Sequence, residues 1–167
     1  MAKNSKNSIF GLAGLLRVIA AFAGIVAFIM MFLDQIEIHK VVLGEDLLVG
    51  TYGMKAFFGD PDSADAIKNG AILPFIGYIL MGVGALCGLV SLFLIKDKKL
   101  DTIVSLLSGL VMITGAIFVF FISTSLAKAN TGSLLSYEYR MLFAPVFGGI
   151  LGAAGGAANV VALIFKK

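Results

Sequence analysis

Three stretches of this chain, Ala71–Ile95, Thr102–Leu126 and Met141–Phe165, contain no charged residue. Each is longer than the roughly 20 apolar residues that a helix needs to cross a hydrocarbon core of about 30 Å. A fourth stretch, Ile9–Leu33, is apolar except at Arg17, which divides it into Ile9–Leu16 and Val18–Leu33. The composition agrees: 59% of the 167 residues are hydrophobic and only 14% charged, and the 20 glycines come on top of that hydrophobic share. Average usage is about 45–50% apolar with glycine included, so a disordered chain, a disulfide scaffold and a basic nucleic-acid-binding surface are excluded. The lone Cys87 forms no internal disulfide. The reading is an all-α membrane protein built as a four-transmembrane-helix bundle. It forms one domain over residues 1–167, with spans at about 9–33, 71–95, 102–126 and 141–165.

The first span reads as a retained signal anchor. Its stretch beyond Arg17 exceeds an h-region of about 7–15 residues, and no A-x-A-like cleavage site follows. Charge fixes the expected orientation. Lys3, Lys6, Arg17, Lys96, Lys98, Lys99, Lys166 and Lys167 fall on one side with only Asp97 and Asp101, while the other side carries five cations against eight acids. Cations near span ends stay cytoplasmic, so both termini are expected inside a bacterial-type plasma membrane. Pro74 and Pro145 then open spans entering from outside, where a missing N–H costs little. Arg17 is expected near the cytoplasmic interface, snorkelling, with Asp101 as its ion-pair partner.

Span two aligns on span four at a separation of 71 through Pro74/Pro145, Gly77/Gly148, Gly84/Gly155 and Lys96/Lys167. Spans one and three align more weakly, through Leu15-Leu16 on Leu106-Leu107 and Gly24 on Gly115. Such a pattern fits two helical hairpins of the same orientation, and it also fits constraints that any membrane helix shares. Gly148, Gly152 and Gly156 form one smooth stripe on span four, and Gly149, Ala153 and Ala157 a second. Small residues four apart let helix backbones approach closely. The stripes are candidates for a helix-packing or oligomer interface. Gly84/Gly88, Ala20/Gly24 and Ser105/Gly109 offer similar pairs on the other spans.

Residues 34–70 form a long first extracellular loop. Alternating, β-branched sequence on both sides of Gly44-Glu45-Asp46 predicts a β-hairpin. MKAFFGDPDSADAIKNG predicts a short helical turn, a break at Gly59-Asp60-Pro61, then a helix capped by Asp62 or Ser63. Phe57 and Phe58 are expected to seal the loop against the bundle rim. Together with Glu45, Asp46 and Tyr52 they are also candidates for facing a partner. Asp60, Asp62 and Asp65 lack the glycine and terminal glutamate of a calcium loop, and no metal is expected. In the second loop, Tyr137 and Tyr139 read as interface anchors. In topology, four helices with a strand-bearing first extracellular loop, the arrangement resembles the claudin-like tetraspan group. That group's signature in this loop, a tryptophan and a cysteine pair, is missing, so the resemblance carries no function.

Catalytic chemistry is sparse. His39 reads as a solvated loop residue, and Cys87 as inert packing in span two. No nucleophile–base grouping, metal-ligand cluster or phosphate-binding loop is visible, so no enzyme and no cofactor is expected. A polar lining for transport is limited to Tyr78, Ser91, Ser105, Ser108, Thr114, Ser123, Thr124 and Asn159. The expected function is a non-enzymatic tetraspan protein acting through helix packing and its external loop, as an assembly or accessory subunit or a self-associating scaffold. Its partners would be the lipid bilayer and either further copies or another membrane protein. A subunit of a small oligomeric channel or transporter is the alternative, followed by an external-ligand sensor or immunity-type protein.

Overall fold

Asp97 begins the helix that follows it by accepting hydrogen bonds from the Lys99 and Leu100 amides at 2.8 and 3.0 Å, which satisfies two of the donors a helix start leaves unpaired. The computed structural model describes residues 11–42, 44–62, 67–130 and 137–165. It is mostly helical. Helices α1 (Leu12–Ile29), α3 (Ile72–Leu94), α4 (Lys98–Phe120) and α6 (Phe143–Ala162) bundle together, and with the 3₁₀ turn Met30–Phe32 that extends α1 they are long and apolar enough to cross a membrane. Shorter elements are α2 (Lys55–Phe58), α5 (Ile122–Ala129) and the strands β1 (Ile36–Val42), β2 (Glu45–Tyr52) and β3 (Tyr137–Met141).

The four long helices form a ring in which α1 packs on α3 and α6, and α4 packs on the same two. Helices α1 and α4 therefore face each other across the bundle axis. The interior faces carry small residues such as Ala20, Ala21, Gly24 and Ala27 on α1 and Gly148, Gly152 and Gly156 on α6. Large apolar side chains such as Phe22, Leu86, Leu94 and Ile150 point outward. Backbones approach closely where glycines meet: a Cβ on Gly109 would sit 2.7 Å from the Gly156 carbonyl oxygen.

Two halves of the chain pack alike. The buried α3 positions Pro74, Gly77, Tyr78, Met81, Gly84, Ala85, Gly88 and Ser91 each have a buried counterpart 71 residues on in α6, from Pro145 to Ala162. The matching contacts set the α1/α4 separation at 88. Added Cβ atoms on Gly84 and Gly155 would each lie 2.9 Å from a carbonyl oxygen, that of Ser108 and that of Ala20. The same shift pairs buried Arg17, Ala21 and Gly24 with buried Ser105, Gly109 and Met112. This replaces the separation given by pairing Gly24 with Gly115, because apolar letters repeat too often to fix register where packing does.

At one end, the first loop closes over the bundle. Strands β1 and β2 form the expected hairpin, with Gly44 at φ +87° in its turn and a bulge between Ile38 and His39. An unexpected third strand, β3, pairs antiparallel with the other edge of β1 in the order β2-β1-β3. Ile36 and Ile38 point inward and join Phe57, Ile67, Tyr78, Ile122 and Leu126 in the main apolar core. The apolar run 102–126 does not make one span: α4 ends at Phe120, and α5 turns Ile122 and Leu126 beneath the sheet. Asn69 and Asn130 tie the loops together, each amide nitrogen donating to the other region's backbone at 2.9 Å. Of the helix expected after Asp62, residues 63–66 lie outside the described residues, and Ile67–Asn69 form bends.

Candidate functional site

Polar side chains inside the bundle cluster toward the end opposite the sheet. From the second described turn of α1, Arg17 reaches across the bundle axis to Asp101 in the first turn of α4. Its Nη2 donates to Asp101 Oδ1 at 2.7 Å and its Nη1 to Oδ2 at 3.3 Å. Nη2 also reaches Ser91 Oγ of α3 at 3.2 Å, and the Ser91 hydroxyl donates to the same carboxylate. The expected pair forms, but it does not snorkel. Arg17 is 5% and Asp101 2% exposed. Arg17 shares the inward stripe of Gly14, Ala21 and Gly24, and the fork-shaped contact with the carboxylate pairs the two charges.

One turn deeper, α4 presents Ser105, and a turn beyond that Ser108, on the face that carries Asp101. Asn159 of α6 donates through Nδ2 to Ser108 Oγ at 2.7 Å and to the Ser105 carbonyl at 3.3 Å. Ser108 in turn donates to the Gly84 carbonyl of α3 at 2.5 Å. Arg17 Nε, Ser105 Oγ and Asn159 Oδ1 are buried without a hydrogen-bond partner. Met81 and Met112, both fully buried, close the interior above this cluster. Nearer the sheet, Tyr78 donates to Gln35 Oε1 at 2.8 Å, and Gln35 Nε2 donates to the carbonyls of Met30 and Leu33 at 2.8 and 2.7 Å. The Gln35 contact was not anticipated, because nothing local in the sequence joins that residue to span two. Thr114 and Thr124 point outward.

Gly148, Gly149, Gly152 and Gly156 are all buried and Ala153 partly so. They face Tyr78, Phe120, Met81 and the backbone of Gly109. These glycines therefore do not form an outward oligomer stripe: the neighbouring helices of the same chain need the close approach they allow. In the loop, Phe57 is 1% exposed and belongs to the core, where it contacts Phe75 and Tyr78. A partner cannot reach it. Phe58 is exposed and rests on Phe75, and Tyr52 is half-buried.

Glu45 and Asp46 are exposed near the hairpin tip. One sheet face carries a charge network across all three strands. His39 Nδ1 lies 2.7 Å from Asp46 and its Nε2 3.2 Å from Glu37, while Arg140 bridges Asp46 at 2.9 Å and Glu138 at 2.8 Å. His39 is therefore partly sheltered and paired, not solvated. Its hydrogen bond and the Arg140 guanidinium hold the Asp46 carboxyl below the usual carboxylate range. Lys55 does the same to Asp60 from 2.6 Å. Asp60 is thus engaged by a lysine, Asp65 lies outside the described residues, and no metal-holding cluster occurs among the described residues. Cys87 is exposed on the outer surface between α3 and α4.

The hairpin beyond Lys40 projects past the core. Val41, Val42, Leu47, Leu48 and Val49 are all exposed, and β2 is an edge strand of the sheet. No protein-family model matches the sequence, and no curated protein is similar to it.

Proposed function

We propose that this chain is a multi-pass membrane protein with its termini and the Arg17 end of the bundle cytoplasmic and its sheet outside. It acts there as a non-catalytic assembly or accessory subunit that binds another membrane protein through the sheet. The outward large side chains support the membrane setting. In water, contiguous apolar surface of that kind associates or aggregates, whereas lipid solvates it and leaves small inward residues to drive helix packing. The excess of cations at the Arg17 end supports the orientation.

The observation that carries the binding role is the projecting hairpin, with its apolar tip and the unpaired edge of β2. An exposed strand edge accepts an extended segment of a partner through backbone hydrogen bonds, with flanking side chains supplying selectivity. Burial of the glycine stripe favours this surface over self-association through α6. The test is the mass of the complex released gently from native membranes, for wild type and for Leu48→Lys. A stoichiometric complex with another chain that is lost in Leu48→Lys supports the reading. A monomer, or a complex indifferent to that substitution, overturns it, and a homo-oligomer moves the function to self-assembly.

A further inference from the structure

We propose that the Arg17 end of the bundle contains a hydrated inlet, in which internal water is bound between Arg17, Ser105 and Asn159. The inlet stops at the Met81–Met112 layer. At 1.5 Å per residue, Ser108 lies about 15 Å along α4 from its start at Lys98, so the inlet reaches nearly halfway through the bundle.

The first argument is the set of unmet hydrogen bonds. Arg17 Nε is a donor, Asn159 Oδ1 an acceptor and Ser105 Oγ both, and all three are buried without a protein partner. A ligand serving them must accept from the guanidinium and donate to the amide oxygen. Water does both, and buried water typically makes about three such bonds. A charged ligand is disfavoured because Arg17 and Asp101 already neutralise each other at 2.7 Å. Space is small as well: a Cβ on Gly88 would lie 2.9 Å from both Asn159 Nδ2 and Ser108 Oγ.

The second argument comes from the likeness of the two halves. At separations of 71 and 88, Ser91, Asp101, Ser108 and Asn159 correspond to Ala162, Ala13, Ala20 and Gly88. Each of these four polar side chains thus has an apolar counterpart in the other half, whereas Arg17 and Ser105 correspond to each other and are both polar. The fold does not require polarity there, and buried polar groups carry a desolvation cost that packing alone does not offset. Polar residues inside membrane helices that packing does not demand mark places where water or a solute goes. Beyond the cluster, Met81, Met112 and Ala116 offer no hydrogen-bonding side chain, which ends the hydrated path.

The test is thiol accessibility in the full chain, in membranes, on a Cys87→Ser background. Single variants Ser105→Cys and Asn159→Cys probe the inlet, Ala116→Cys the dry layer and Lys96→Cys the rim. The probe is a small cationic methanethiosulfonate that does not cross bilayers, added to right-side-out or inverted vesicles and read by mass. Cysteines at 105 and 159 are expected to react from the same side as that at 96, and at least about tenfold faster than that at 116, because thiol modification follows access. Rates at 105 and 159 as low as at 116 overturn the inlet. If those variants fail to fold, amide exchange of the wild type in lipid nanodiscs decides: faster exchange at 104–108 than at 112–119 supports the inlet, and equal protection overturns it. The side from which the cysteine at 96 reacts tests the orientation separately, and neither result bears on partner binding at the sheet.

Discussion

The Arg17–Asp101 pair shows how differently one residue behaves according to the direction it faces. Turned outward, Arg17 would have put its charge at an interface. Turned inward, it joins α1 to α4 across the axis and leaves Asp101 dependent on it. Removing one partner of a buried pair strands the other, a loss of about 3–5 kcal/mol, whereas replacing both with apolar groups of similar volume is often close to neutral. Arg17→Met and Asp101→Leu should therefore each destabilise strongly, and the double variant should recover most of the loss. Thermal unfolding in lipid–detergent mixtures measures this. Equal and additive losses would mean that the pair is not coupled. The two residues could be matched from the sequence by their level in the spans. The inward direction was legible too, in the spacing of Gly14, Arg17, Ala21 and Gly24, but it required reading the small residues as the interior face.

Among the elements, α6 and the sheet make separate predictions. Gly156 lies against α4, where an added Cβ would approach the Gly109 oxygen to 2.6 Å and Ile113 Cγ1 to 2.8 Å. Its chain neighbour Ala157 is exposed. Gly156→Leu should cost at least the roughly 1–3 kcal/mol of overpacking, and Ala157→Leu should stay within about 0.5 kcal/mol. Comparing their unfolding midpoints separates internal packing from an outward stripe. For the sheet, the depressed Asp46 carboxyl contributes stability that is present above its unfolded titration and is lost as pH falls through its folded value; Asp60 behaves alike. The Lys55 ammonium is raised by Asp60, so its contribution is present below its unfolded titration and is lost as pH rises through its folded value. The Arg140–Asp46 and Lys55–Asp60 pairs are thus intact between about pH 4 and pH 10. Near-ultraviolet dichroism of the loop tyrosines should change below that window, and Asp46→Asn should flatten the acid limb. The hairpin was legible because its turn and alternation are local. Strand β3 was not: its five residues border an apolar run, and the strand that pairs with them lies far away in sequence.

As a whole molecule, the chain is two helical hairpins facing each other through glycine, with one polar cluster where the halves differ. Fragments 1–96 and 97–167 expressed together should copurify, and Gly77→Leu should separate them, because a Cβ there would lie 2.5 Å from the Gly115 carbonyl oxygen of the other fragment; affinity capture of one tagged half tests this. Four long apolar helices were countable from three charge-free runs and one broken only at Arg17, but the way the halves register was not, because that depends on which small residues touch. The sheet also imposes an order on synthesis. Strand β1 emerges early, with the first helix, yet its partner β3 is translated only just before the last one. Until then the growing chain shows one bare edge of β1. A chain that stops before Tyr137 keeps that edge bare, and the completed molecule covers it.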